Sequence, residues 1–133
     1  MSQENVEVMR RFWDDWERGD LEAVFKLYDP AIVWVQHSGP FEMHGTYLGH
    51  DGVRRAWRDW LVSFKTLGVH AHTFIDAGES VIVGWRMSGQ GKASEAPVDL
   101  PGWSVHTLRN GRLIRIDVFS TEAEALKILG LSE

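Results

Sequence analysis

Three residues near the end of the chain carry side chains that can bind or transfer protons: His106, Arg115 and Asp117. They lie on two alternating apolar and polar runs joined by Asn110-Gly111, and Asn-Gly between such runs is the strongest short signal for a β-hairpin. A two-residue turn sets His106 opposite Arg115 and predicts that all three side chains share one face. A histidine and a buried carboxylate can act as general acid and base near neutral pH.

Two interpretations of this hairpin stay open. In the first, the polar face lines a pocket, Asp117 is the acid–base group, His106 is a second donor or acceptor, and Arg115 lies beside them. The polar face then also carries Ser104 and Phe119, and the opposite face is buried in a homodimer through the back of the sheet. In the second, the opposite face is the core, and Arg115 and Asp117 form a solvated pair. That opposite face is apolar throughout and consists of Trp103, Val105, Thr107, Ile114, Ile116 and Val118.

Aromatic residues predict an apolar cavity. The chain has seven tryptophans and only two tyrosines, and each tryptophan brings a large apolar area with one N–H that needs a partner. Several aromatic side chains lie on strands or helix faces that could surround a cavity. A cavity with such a wall suits a bulky, flat, apolar ligand. The predicted ligand-binding set is Trp16, Trp34, Tyr47, Trp57, Trp85 and Phe119, with Trp13 beside Trp16 on the helical wall.

The histidines suggest a metal site, but weakly. His70 and His72 alternate on a predicted strand, Asp76 follows, and His106 comes later, which resembles part of the cupin metal motif. An Asp stands where that motif has Glu, and the leading helices do not suit an all-β barrel. We therefore expect no metal.

Composition excludes several classes of protein. The chain has 133 residues, enough for one domain over 1–133 with a single core. Its formal net charge is −5, which argues against nucleic acid or an anionic membrane as the main partner. It has no cysteine, so disulfides and thiolate zinc sites are excluded. The N-terminus is charged and no apolar run is long enough to span a membrane, so a cytoplasmic location is expected.

Hydrophobic periodicity predicts the order of the elements. Helical spacing covers a first helix ending at Gly19, a short second helix capped by Asp20, and a third from about 50 to 64. The apolar stripe of the third helix includes Val53, Ala56 and Trp60 and is interpreted as core. Strands are predicted over 31–36, 69–76, 80–87, 100–109 and 112–120, with loops over 37–45 and 88–101 and a last helix after Thr121. Helices followed by antiparallel strands indicate an α+β fold.

This order and several short motifs resemble the SnoaL-like polyketide cyclases of the nuclear transport factor two-like superfamily, which includes ketosteroid isomerases. The resemblance extends over nearly the whole chain. The residues that carry it are Glu4-Asn5-Val6-Glu7, Arg18-Gly19-Asp20-Leu21, Asp29-Pro30, Gly45-Thr46-Tyr47, Gly49-His50-Asp51-Gly52-Val53-Arg54, Thr107-Leu108-Arg109-Asn110-Gly111-Arg112, Glu124-Ala125-Leu126 and Gly130-Leu131.

The resemblance implies a cone, in which a curved antiparallel sheet wraps around the helices and encloses one apolar pocket. It also implies homodimers and cofactor-free acid–base chemistry, and it makes Asp117, just before Phe119, similar to the acid–base Asp of such cyclases and epoxide hydrolases. The sequence departs from the superfamily's steroid isomerases and epoxide hydrolases, since the strand over 80–87 has no acidic residue and Arg86 has no second strand Asp.

Two functions therefore remain. The chain is either a cofactor-free enzyme (isomerase, cyclase, dehydratase or epoxide hydrolase) acting on a bulky apolar small molecule, or a non-catalytic module binding an apolar ligand or a partner chain.

Overall fold

The computed structural model describes residues 2–38, 45–62, 64–92 and 97–131. Within these ranges lie four helices and six strands, which confirms the α+β class. The helices are α1 (Ser2–Glu17), α2 (Leu21–Leu27), α3 (Gly49–Leu61) and α4 (Glu122–Ile128). The strands are β1 (Tyr28–Gln36), β2 (Gly45–Leu48), β3 (Phe64–Ala77), β4 (Ser80–Gly91), β5 (Pro97–Arg109) and β6 (Arg112–Phe119).

The six strands form one sheet in the order β2-β1-β6-β5-β4-β3. Four of the five neighbouring pairs are antiparallel, but β1 and β6 run parallel, so the sheet is mixed and the antiparallel prediction is wrong for this pair. No hairpin turn fixes the relative direction of β1 and β6, since most of the chain separates them. Their pairing is a tertiary event that local patterning does not encode.

The predicted helix caps and the apolar stripe of α3 are confirmed. The side chain of Asp20 accepts a hydrogen bond from the Ala23 amide at the start of α2, and that of Thr121 accepts one from the Glu124 amide at the start of α4. Val53, Ala56 and Trp60 on α3 are buried. None of the helices in the described ranges is long and apolar enough to cross a membrane.

Several predicted boundaries are wrong. Helix α3 ends at Leu61, and Phe64 already belongs to β3. The predicted loop over 88–101 is shorter than expected, because β4 continues to Gly91 and β5 begins at Pro97. The edge strand β2 begins at Gly45, the last residue of the loop predicted over 37–45, and sequence patterning missed it. Residues 39–44 and 93–96 of these two predicted loops lie outside the described residues.

A β-bulge in the β5–β6 hairpin changes the predicted register. The turn is as predicted, with positive φ at Asn110 (53°) and Gly111 (76°). Leu108 pairs with Leu113, but the next pair is Thr107 with Arg115, so Ile114 is an extra residue.

Beyond the bulge, every residue of β6 is shifted by one position. His106 therefore lies opposite Ile116, and Asp117 lies opposite Val105. The prediction that His106, Arg115 and Asp117 share a face is wrong.

Each side of the sheet has its own apolar cluster. The main core lies on the concave side, where α1 contacts β3 and β4 and α3 contacts β1. A second cluster lies on the opposite side beneath α4 and includes Ile82, Val105 and Phe119. Neither interpretation of the hairpin is correct as stated, because Ile116 and Val118 belong to the concave core while Val105 lies under α4.

Candidate ligand-binding cavity

A cavity of about 90 Å³ lies between α1, α3 and the concave face of the sheet. Its wall is mainly aromatic, because six of the seven tryptophans line it. These six are Trp13, Trp16, Trp34, Trp57, Trp60 and Trp85, with Trp103 on the other side of the sheet in contact with the α4 cluster.

The cavity has a solvent-facing mouth and a buried floor. Leu61 at the end of α3 lines the cavity and is 49% exposed, and Trp16 and Trp57, both half-buried, pack with ring centroids 4.6 Å apart. At the floor, Trp85 and His106 are buried. A ligand would therefore enter past the ends of α1 and α3 and come to rest against β4 and β5.

Gly102 explains how Trp85 comes to form the floor. Gly102 is the β5 partner of Trp85, and a Cβ atom at that position would lie 2.1 Å from the indole ring. Only a glycine allows the Trp85 ring to lie across β5 at this distance.

Three side chains on the floor form a hydrogen-bonded chain. The Trp85 indole Nε1–H donates to the Ser104 Oγ at 3.1 Å, and that oxygen lies 2.8 Å from Nε2 of His106. Burial lowers the pKa of His106 from 6.5 to about 3, although the negative charge of Asp117 acts in the opposite direction. The imidazole is therefore neutral near neutral pH.

Two buried nitrogens on residues that line the cavity lack a hydrogen-bond partner. Among buried side-chain atoms in the described residues, Trp13 Nε1 and His106 Nδ1 have no hydrogen bond. Their rings meet edge to face with centroids 6.3 Å apart. Buried polar groups in folded proteins are nearly always hydrogen-bonded, so these two nitrogens, which belong to residues lining one cavity, are candidates for hydrogen bonds to a bound ligand.

The other polar groups around the cavity are neutral. Burial raises the pKa of the Tyr28 phenol, which keeps its proton over the whole range in which proteins fold. The Gln36 side-chain oxygen lies 3.3 Å from the Trp60 indole nitrogen and 3.5 Å from that of Trp34. Gln36 thus orients two tryptophans of the wall.

Asp117 and Arg115 lie on the opposite side of the sheet from the cavity. Asp117 is 3% exposed, and its carboxylate accepts two hydrogen bonds from Arg115, at 2.9 and 3.0 Å. Nε2 of His37 lies 2.7 Å from the same carboxylate, and the His37 ring stacks on Phe119 at 4.5 Å. The bulge at Ile114 is the reason, because it turns Asp117 away from His106.

The structure thus divides the predicted site residues. His106, Trp16, Trp34, Trp57 and Trp85 line the cavity, whereas Asp117, Arg115, Tyr47 and Phe119 do not. The Tyr47 hydroxyl donates instead to Asp59 on the surface of α3.

Sequence reasoning did not select Tyr28, Trp60 or Ser104 for the site. Ser104 could have been found, since it alternates with His106 on β5 and must share its face. Trp60 stood in the predicted apolar stripe of the third helix but was interpreted as core.

No metal centre is evident in the part of the chain that the structure describes. None of its groups of three or more His, Asp or Glu side chains is placed to hold a metal ion. His70 hydrogen-bonds to Glu17 and His72 to Thr73, while His106 lies on the cavity floor.

Comparison with known proteins identifies the family. Residues 9–116 match the SnoaL-like domain, and the chain belongs to this family. No functionally curated protein matches the chain significantly.

Solved structures show the same fold. An NTF2-like protein from Burkholderia pseudomallei is 23% identical with a TM-score of 0.76, covering 94% of this chain and 96% of that one. A protein assigned as a SnoaL-like polyketide cyclase from Jannaschia sp. is 21% identical with a TM-score of 0.75, covering 99% and 94%. TerC, co-crystallised with polyporic acid, is 19% identical with a TM-score of 0.74, covering 95% and 98%.

Proposed function

We propose that this protein binds a small, apolar, ring-containing molecule in the tryptophan-lined cavity. The observation that carries the proposal is the combination of six tryptophans around one cavity with two unpaired nitrogens in its wall. Binding sites for small molecules are typically concave and apolar, with a few convergent polar groups. The co-crystallisation of TerC with polyporic acid supports a binding role for this fold.

The cavity volume narrows the expected ligand. An engineered protein cavity of ~150 Å³ binds benzene, and the present cavity has about 90 Å³. The cavity is thus smaller than one that holds benzene, so a single six-membered ring with a small substituent fits only if the side chains at the mouth, Leu61, Trp16 and Trp57, move outward. The bulky, flat ligand predicted from the sequence requires a larger displacement of Trp16 and Trp57.

The geometry favours binding over acid–base catalysis by the predicted residues. Asp117 and Arg115 are separated from the cavity by the sheet, so a bound molecule would touch neither. His106 does face the cavity, but it is neutral with a pKa of about 3, far from the value near 7 that a general base needs at neutral pH. The supported role of His106 is that of a hydrogen-bonding group.

The proposal keeps the homodimer and the cytoplasmic location expected from the sequence. The dimer interface, however, differs from the hairpin face that the sequence analysis assigned to it. Ile116 and Val118 line the cavity and cannot belong to a dimer contact. Val33 and Val35 on β1 alternate with the cavity residue Trp34, so they face the back of the sheet together with Trp103. We place the dimer interface at these residues.

Titration of the protein with α-methylstyrene, followed by isothermal titration calorimetry, tests the proposal. This compound is one aromatic ring with a small apolar substituent. We expect saturable binding with one site per chain. In Leu61→Trp the larger side chain fills the mouth, and we expect at least a tenfold loss of affinity.

Val62→Trp is the matched control. Val62 is the next residue in the chain, is 63% exposed and does not line the cavity. Its replacement should leave the affinity unchanged. The absence of saturable binding to the wild type, or an equal loss in both variants, would refute the proposed site.

A further inference from the structure

We infer that the cavity selects neutral ligands carrying a hydrogen-bond acceptor, such as a ketone or aldehyde oxygen, which binds the Nδ1–H of His106 and the Nε1–H of Trp13. The inference rests on the proposed function and adds the chemical class of the ligand. It follows from the direction of the hydrogen bonds on the cavity floor.

The direction of these hydrogen bonds is set by Trp85. An indole nitrogen can only donate, so Trp85 donates to the Ser104 oxygen. The Ser104 hydroxyl has one proton of its own and is buried, and Nε2 of His106 at 2.8 Å is the acceptor within reach. If Nε2 carried a proton instead, that proton and the hydroxyl proton of Ser104 would compete for the space between the two atoms. The Ser104 hydroxyl would then lose Nε2 as its acceptor.

The proton of the neutral imidazole must then be on Nδ1. This is the nitrogen that has no partner in the described structure. A neutral imidazole has one donor nitrogen and one acceptor nitrogen, and Ser104 uses the acceptor. His106 therefore presents an N–H donor that lacks an acceptor.

Trp13, which also lines the cavity, carries a second unpaired donor. Its Nε1–H is also buried without a partner, and its ring meets that of His106 edge to face. A carbonyl oxygen has two lone pairs and can accept from both nitrogens. Satisfying two buried donors with one oxygen removes two desolvation penalties at once.

The same arrangement disfavours ions. None of the described residues lining the cavity is Asp, Glu, Lys or Arg, so an ionised ligand would be buried without a counter-charge. Aromatic walls can hold a cation, but here a cation at the floor would face the positive ends of two N–H dipoles. A neutral acceptor is the class that suits every group on the floor.

A pair of ligands of equal shape tests the inference. Acetophenone and α-methylstyrene differ only in that a carbonyl oxygen replaces a methylene group. Water solvates the ketone better than the alkene, so the two affinities in wild type cannot be compared directly. The informative quantity is the ratio of the two affinities, which is compared between wild type and each variant. We expect His106→Phe to lower the preference for acetophenone about tenfold relative to wild type.

Trp13→Phe should lower the same ratio by a similar factor. His72→Phe is the control, since this histidine is exposed and does not line the cavity, and it should leave the ratio unchanged. If both ligands bind and neither cavity variant changes the ratio, the inference is wrong while the proposed function stands. If neither ligand binds wild type, the proposed function fails. Tighter binding of tetramethylammonium than of acetophenone would also overturn the inference.

An independent measurement does not need any ligand or any folded His106 variant. ¹⁵N NMR of the imidazole rings reports which nitrogen of a neutral histidine carries the proton. We expect Nδ1 of His106 to be protonated in wild type at pH 7. A proton on Nε2 would overturn the inference directly.

Discussion

Protonation of His106 should make the stability of this protein depend on pH. The imidazole is buried against Phe12 and Trp13, and burial lowers its pKa from 6.5 to about 3. Between these two values the unfolded chain binds a proton that the folded chain does not. The free energy of unfolding therefore includes the full contribution of the neutral His106 above about pH 6.5, and this contribution is lost progressively as the pH falls towards 3.

The size of this effect follows from the two pKa values. Integrating the difference in proton binding from pH 7 to pH 5 gives a loss of about 2 kcal/mol in the free energy of unfolding. In His106→Phe the ring remains but the titrating group is gone. The variant should lack this part of the pH dependence, whatever its stability at pH 7.

Urea unfolding followed by circular dichroism at pH 7, 6 and 5 measures the effect. The quantity to compare is the difference in unfolding free energy between wild type and His106→Phe at each pH. His72→Phe is the control, because His72 is an exposed histidine on the edge strand β3. This variant keeps His106 and should therefore keep the pH dependence that His106 causes.

A constant difference between wild type and His106→Phe from pH 7 to pH 5 would refute the reasoning. It would mean that His106 takes up its proton in the folded protein as readily as in the unfolded chain. The ring would then be hydrated, and the apolar floor of the cavity would not exist as described.

Two further predictions concern the back of the sheet. Asp117→Asn should lower the free energy of unfolding in urea by about 1–2 kcal/mol, because it weakens the hydrogen bonds to Arg115, which is charged but partly exposed. The same variant should bind acetophenone with an affinity within twofold of wild type. Asp99→Asn, which removes an exposed ion pair, should cost less than ~0.5 kcal/mol, and an equal cost in both variants would contradict the burial of Asp117. Val35→Lys should convert dimers to monomers in size-exclusion chromatography with light scattering, with Val62→Lys as control; a monomeric wild type would exclude the homodimer.

Much of the local structure could be predicted from the sequence. The period of Val53, Ala56 and Trp60 defines α3, the Asn110-Gly111 pair defines the hairpin turn, and Thr121 defines the start of α4. Each of these signals acts between residues close in the chain, where helical or strand periodicity fixes the geometry. The family resemblance, which the match over residues 9–116 confirms, supplied the global arrangement apart from the parallel pairing of β1 with β6.

The composition of the cavity was predictable only in part. The excess of tryptophan indicated an aromatic cavity, and all five tryptophans predicted to surround it, Trp13 included, line it. The hydrogen-bonded chain was not predictable, because Trp85 and Ser104 are 19 residues apart and meet only through the pairing of β4 with β5. Gly102 contributes by leaving room for the Trp85 ring, which no local pattern reveals.

The sequence by itself determined all the elements except β2, their order, and the polar residues available on β5 and β6. Only the tertiary structure decided which of those residues face the cavity. The decisive feature is one extra residue, Ile114, in the hairpin. It lets Leu113 and Ile116, three positions apart, both point into the concave core. Because side chains alternate with a period of two, a shift of one residue turns Asp117 to the back of the sheet and leaves His106 at the floor of the cavity.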